Sequence, residues 1–138
     1  MDFSIVPHIG LNGIQFGERR DGLRSRIGDS TSFSRSGTAE NTDHFIELGL
    51  LLSYDADDRL EFIEVTPIAN VSFQGVSLIG RSCGEVIADL SVQGFEGAMD
   101  SSGVEFRECG FSLFVPDMDN DTGGIVEGVS VFPRGYYG

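Results

Sequence analysis

An α+β fold is what this sequence predicts, and three observations predict it. Two stretches, 45–67 and 105–132, alternate apolar and polar residues on either side of an acidic run that suits a turn. Two shorter stretches, 18–27 and 82–92, carry apolar residues three and four positions apart, the spacing of one helix face. The same order of elements occurs in the first and second halves of the chain.

The composition bounds the rest. At 138 residues the chain has the length of one domain, and 40% hydrophobic residues with eleven Phe can build a core without metal or disulfide. Twenty-two acids oppose nine basic residues, for a net charge of −13. Phosphate binding depends on clustered cations, so nucleic acid is excluded as a direct partner. A charge of this size serves solubility or steers a basic protein partner toward the surface. Neither a basic, apolar leader at Met1–Ser4 nor a membrane-length apolar run is present, which predicts a soluble, cytoplasmic protein. Cys83 and Cys109 lack metal-site spacing; they either pack as small apolar residues or form one disulfide.

In chain order, residues 3–16 read as a short strand, a turn at Asn12-Gly13 and a second extended piece. Leu23 and Ile27, four apart among charges, give a helix over 18–27 with Gly28 as its stop. The Ser/Thr-rich run 29–44 reads as a long loop. Leu48, Leu50, Leu52 and Tyr54 then line one strand face, Asp55-Ala56-Asp57-Asp58 turns, and 60–66 returns until Pro67. Residues 70–80 are extended around a Gln74-Gly75 turn. Ser82 stands three before Glu85, the capping-box spacing, and opens a helix over 82–92. After a link at 95–103, a strand over 105–115 presents Cys109, Phe111, Leu113 and Val115; 116–124 is an acidic turn, and 125–132 returns.

The halves align. Phe16-Gly17 matches Ile79-Gly80, Glu47-Leu48-Gly49-Leu50 matches Glu108-Cys109-Gly110-Phe111, and Val65-Thr66-Pro67 matches Val131-Phe132-Pro133. The expected architecture is one domain, 1–138, duplicated as about 1–67 and 68–138. Its four main strands and short extras form a single antiparallel sheet, with two helices packed on one face.

Chemical motifs are weak. Asp117, Asp119 and Asp121 alternate as at the start of a calcium loop, but the required Gly is displaced and Gly128 stands where a bidentate Glu is needed. His8 and His44 have no nucleophile within a recognisable spacing, and Gly10, Gly13 and Gly17 form no dinucleotide fingerprint. The sequence therefore offers no catalytic or metal residues and implies no cofactor. What it offers is an acidic rim: Asp55, Asp57, Asp58 and Glu61 on the first hairpin, Asp117, Asp119 and Asp121 on the second, and Tyr54 as an aromatic anchor beside them.

Four motifs together, I-x-F-G before the first helix, E-L-G-L-x-L-x-Y-D in the first hairpin, F-x-G-x-x-L-x-G before the second helix and V-x-V-F-x-x-G-Y-Y at the end, span nearly the whole chain. In them the chain resembles small acidic bacterial immunity proteins of toxin–immunity systems, the contact-dependent growth inhibition type. The resemblance implies a non-enzymatic protein that binds and blocks one cognate toxin, commonly a basic nuclease domain. The other readings are a structural adaptor and a small-ligand or calcium-binding module.

Overall fold

A computed structural model describes residues 2–28, 30–33, 41–116 and 124–136, with no side-chain description for 31–33. The first half runs β1 (Asp2–Val6), β2 (Gly10–Leu11), β3 (Ile14–Gln15), α1 (Arg20–Ile27), β4 (Thr31–Phe33), β5 (Thr42–Phe45), a 3-10 turn (Ile46–Leu48), β6 (Leu50–Tyr54) and β7 (Leu60–Val65). The second runs β8 (Asn70–Phe73), β9 (Val76–Ser77), α2 (Cys83–Val92), β10 (Ala98–Asp100), β11 (Gly103–Phe106), β12 (Phe111–Phe114) and β13 (Gly128–Val131).

The class is α+β, but the strands form two sheets rather than one. The larger has the order β10-β11-β12-β13-β7-β6-β5-β4 and the smaller β3-β2-β1-β8-β9. The expected single sheet fails because the short strands pair with each other instead of extending the main sheet. β1 and β8 run parallel, Phe3 beside Val71, and their buried side chains join the same core as the long strands. That core runs through both sheets and both helices, and Phe111 of β12 ties it together, lying 5.0 Å from both Phe73 of β8 and Phe106 of β11. Among the described residues no helix is long and apolar enough to cross a membrane.

The two halves use the same backbone bonds. Gly17 N–H donates to Leu60 O as Gly80 N–H does to Val126 O, and Leu60 N–H donates to Glu18 O as Val126 N–H does to Arg81 O. Arg20 N–H reaches Asp58 O as Cys83 N–H reaches Gly124 O, and Thr66 N–H reaches Gly49 O as Phe132 N–H reaches Gly110 O. The halves meet at β7 and β13, where Glu64 stands opposite Ser130.

Local outcomes follow local chemistry. Ser82 caps α2 by accepting the Glu85 N–H at 3.2 Å, and its hydroxyl donates to Glu85 Oε1 at 3.1 Å. Helix α1 starts at Arg20, behind an Arg19 that makes no side-chain cap, and ends at Gly28, whose N–H reaches Arg24 O. Several extended stretches are shorter than their patterns suggest. The 3-10 turn and Gly49 separate Phe45 from Leu50, and a turn at 107–110 breaks the expected strand over 105–115. Both turns end in glycine with a left-handed backbone, φ 71° at Gly49 and 79° at Gly110. A Cβ there would lie 2.8 Å from Ala69 N or 2.9 Å from Phe132 O. The returning strand after the second acidic run begins at Gly128 rather than Ile125. The stretch 29–44, where the sequence predicts a loop, contains β4 and all but the last residue of β5, and the 95–103 link contains β10.

Candidate functional site

The first hairpin end is the site that the sequence singles out, and its turn is built by its own first acid. Asp55 Oδ1 accepts the N–H of Asp57 at 2.9 Å and of Arg59 at 3.0 Å, which closes the turn. Asp58 sits at φ 57°, a left-handed conformation that Asp tolerates. The turn is then fastened to α1: Arg20 N–H donates to Asp58 O, and Arg59 Nη1 donates to Gly17 O at 3.0 Å.

Beneath the turn lies a buried ion cluster that sequence reasoning missed. Asp43 of β5 is fully buried and accepts two forked guanidinium groups. Arg20 donates through Nε at 3.2 Å and Nη2 at 2.7 Å, and Arg24 through Nε at 2.9 Å and Nη2 at 2.8 Å. Arg20 also lies 3.6 Å from Asp58 and stacks 4.8 Å above the Tyr54 ring. Next to it Thr42 and Ser53, both buried, bond hydroxyl to hydroxyl at 3.0 Å. These pairings explain how a polar stretch becomes an inner strand: the buried side chains of Thr42 and Asp43 both have partners. The available signal was the i, i+4 spacing of Arg20 and Arg24, which puts both on one helix face.

The predicted contact residues separate. Tyr54 is 1% exposed and belongs to the core, so it is not a surface anchor; burial, then the neighbouring Asp43 charge, push its phenol well above the ordinary range. Asp57 and Asp58 are exposed, Asp55 is half-buried and committed to its turn. Glu61 is half-buried, and burial, followed by the charge of Asp55, pushes its carboxyl up. Asp117, Asp119 and Asp121 lie outside the described residues, and so does the calcium-loop comparison that depends on them. Cys83 and Cys109 are both free thiols, the first buried and the second partly so.

The hairpin end is also less acidic than its Asp-Ala-Asp-Asp sequence suggests. Arg19, Arg20 and Arg59 meet at its base, and Arg24 and Arg26 follow along α1, the latter 2.6 Å from Glu18. The first half carries six arginines against twelve acids, the second only three against ten.

A second open region lies on the large sheet. Its outward row runs His44, Leu51, Glu64, Ser130, Ser112, Glu105 across six paired strands, and all six are half-buried. Two adjoining hollows of about 470 and 310 Å³ lie over β7, β13, β12 and β11, sharing Ser130 and Phe114.

No family model matches the chain, and no curated protein or solved structure matches it.

Proposed function

We propose that this chain is a non-catalytic inhibitor of the immunity type, which binds a cognate basic toxin domain and covers its active site. The toxin class named by the resemblance is a nuclease. Such a domain must present cations to substrate phosphates, and carboxylates placed over those cations exclude the substrate.

One observation carries the reading: the fold keeps its negative charge outside. Among the described residues Asp43 is the single buried acid, held by two arginines, and every other described acid keeps at least part of its surface open. Solubility needs far less than a net −13, and the excess raises the rate of encounter with a basic surface.

The test is titration calorimetry of the chain against the purified product of the adjacent gene, at low and at high salt, with a nuclease assay alongside. Tight one-to-one binding that weakens with salt and abolishes nuclease activity is expected. Absence of binding, or binding that leaves the toxin fully active, removes the reading.

A further inference from the structure

We propose that the open part of the large sheet's outer face, centred on Phe114, docks a basic segment of a partner protein in which an apolar side chain stands between cationic ones. The identity of that partner as a toxin rests on the function proposed above; the surface itself does not.

The outer face differs between the two halves. In the first half the outward row Thr42–Ser53–Phe62 is closed, with exposures of 0%, 5% and 8%, and Tyr136 stacks on Phe62 at 5.1 Å. The corresponding row in the second half is Gly103–Phe114–Gly128. Here a large ring stands between two residues without side chains, and Phe114 is 50% exposed. Its Cβ lies 3.6 Å from where a side chain on Gly128 would begin. Phe114 closes β12 opposite the first residues of β11 and β13, and an apolar ring left open at that end of a sheet face is a feature of contact surfaces.

Charge selects the occupant. The described residues lining the two hollows include the acids Glu127, Asp100 and Glu105, besides a Glu64 that has a partner of its own. Arg107 approaches from the rim and pairs with Glu105 at 3.3 Å. Asp100 accepts backbone N–H groups from Ser102 and Gly103, which hold it below the ordinary carboxylate range and keep it ionised. Ser112 and Ser130, adjacent on β12 and β13, supply hydroxyls on the floor. A nucleic acid is repelled here. A second copy of this chain would bring like charges into apposition, at a net −13 each. Cations flanking an apolar side chain match both the carboxylates and the ring.

The experiment uses the intact chain, labelled with ¹⁵N, and the synthetic peptide acetyl-Arg-Gly-Arg-Phe-Gly-Arg-Gly-amide. Saturable amide shifts confined to β11, β12 and β13 are expected, and added salt should weaken them. Phe114→Ser, and separately Glu105→Gln with Glu127→Gln, should each weaken peptide binding about tenfold or more, while Asp57→Asn with Asp58→Asn stays within about twofold. Thermal unfolding of each variant establishes that it folds; the two variants attack ring and charge independently. Shifts at the hairpin end, no shifts at all, indifference to both variants, or self-association through Phe114 in sedimentation would overturn the proposal. The calorimetry above separates the two readings. A peptide that maps to Phe114 while the adjacent-gene product does not bind keeps the surface and loses the toxin. A product whose affinity ignores both variants keeps the toxin and loses the surface.

Discussion

Asp43 is the residue on which the first half turns. A carboxylate with no exposed surface is tolerable only because Arg20 and Arg24 each give it two bonds and because Arg24 reaches solvent at 41% exposure. The second half holds Cys83, Ile87 and Val104 at the corresponding positions, an apolar solution to the same packing problem. This internal comparison makes a sharp prediction. Asp43→Ala leaves two guanidinium groups without their acceptor and should cost about 3–5 kcal/mol in urea unfolding. The triple change Arg20→Cys, Arg24→Ile and Asp43→Val, which copies the second half, should recover most of that loss; a triple variant as unstable as Asp43→Ala would show that the two sites are not equivalent. The sequence showed only the i, i+4 pair Arg20 and Arg24; Asp43 sits in a run of Ser, Thr and Asp, and its partners lie 19 and 23 residues away. Tyr54 misled for the same reason. Beside an acidic turn it looks exposed, yet it shares the apolar strand face of Leu50 and Leu52 and is covered by the Arg20 guanidinium.

At the scale of elements, patterns within a few positions were reliable. The Ser82–Glu85 spacing produced the serine half of the box, with Ser82 Oγ accepting the Glu85 N–H while the Glu85 carboxylate takes the Ser82 hydroxyl, and Gly28 closed the first helix where expected. Ser82→Ala should therefore lower stability by about 1 kcal/mol, read as a fall in unfolding temperature. The same change at Ser25, exposed in mid-helix and without a capping role, should be nearly neutral, and equal losses at both sites would deny the cap its role. Strand boundaries were read less well, although the sequence did carry a signal for them. Buried residues of β5 and β6 change parity, from Asp43 and Phe45 to Leu50, Leu52 and Tyr54. Those of β11 and β12 change from Val104 and Phe106 to Phe111 and Leu113. A continuous strand cannot change parity without turning its apolar face to solvent, so each change marks a turn. Both turns end at the glycine of the repeated Glu-x-Gly element.

For the whole molecule, the pairings that join the halves are β7 with β13 and β1 with β8, and both feed a single core. Neither half can keep its apolar face covered alone. Heat unfolding followed by far-UV circular dichroism and by tyrosine fluorescence should then give coincident, single transitions; two separated transitions would mean that the halves fold independently. The distribution of charge also belongs to this scale. The first acidic turn has Arg19, Arg20 and Arg59 at its base, whereas on the second half's sheet face Arg107 pairs with Glu105 at the rim.

By itself the sequence determined the α+β class, both helices, the cap of the second, the first hairpin turn and the overall negative charge. Each of these depends on composition or on residues a few positions apart, where backbone geometry and hydrogen bonding act directly. Tertiary structure alone decided that there are two sheets, that Asp43 is buried, and that Phe114 stands half exposed between two glycines. Those outcomes depend on which strands meet and which charges cancel across 20 to 70 residues of chain. Contacts at that range leave no period in the sequence, because burial and Coulomb interaction respond to distance in space.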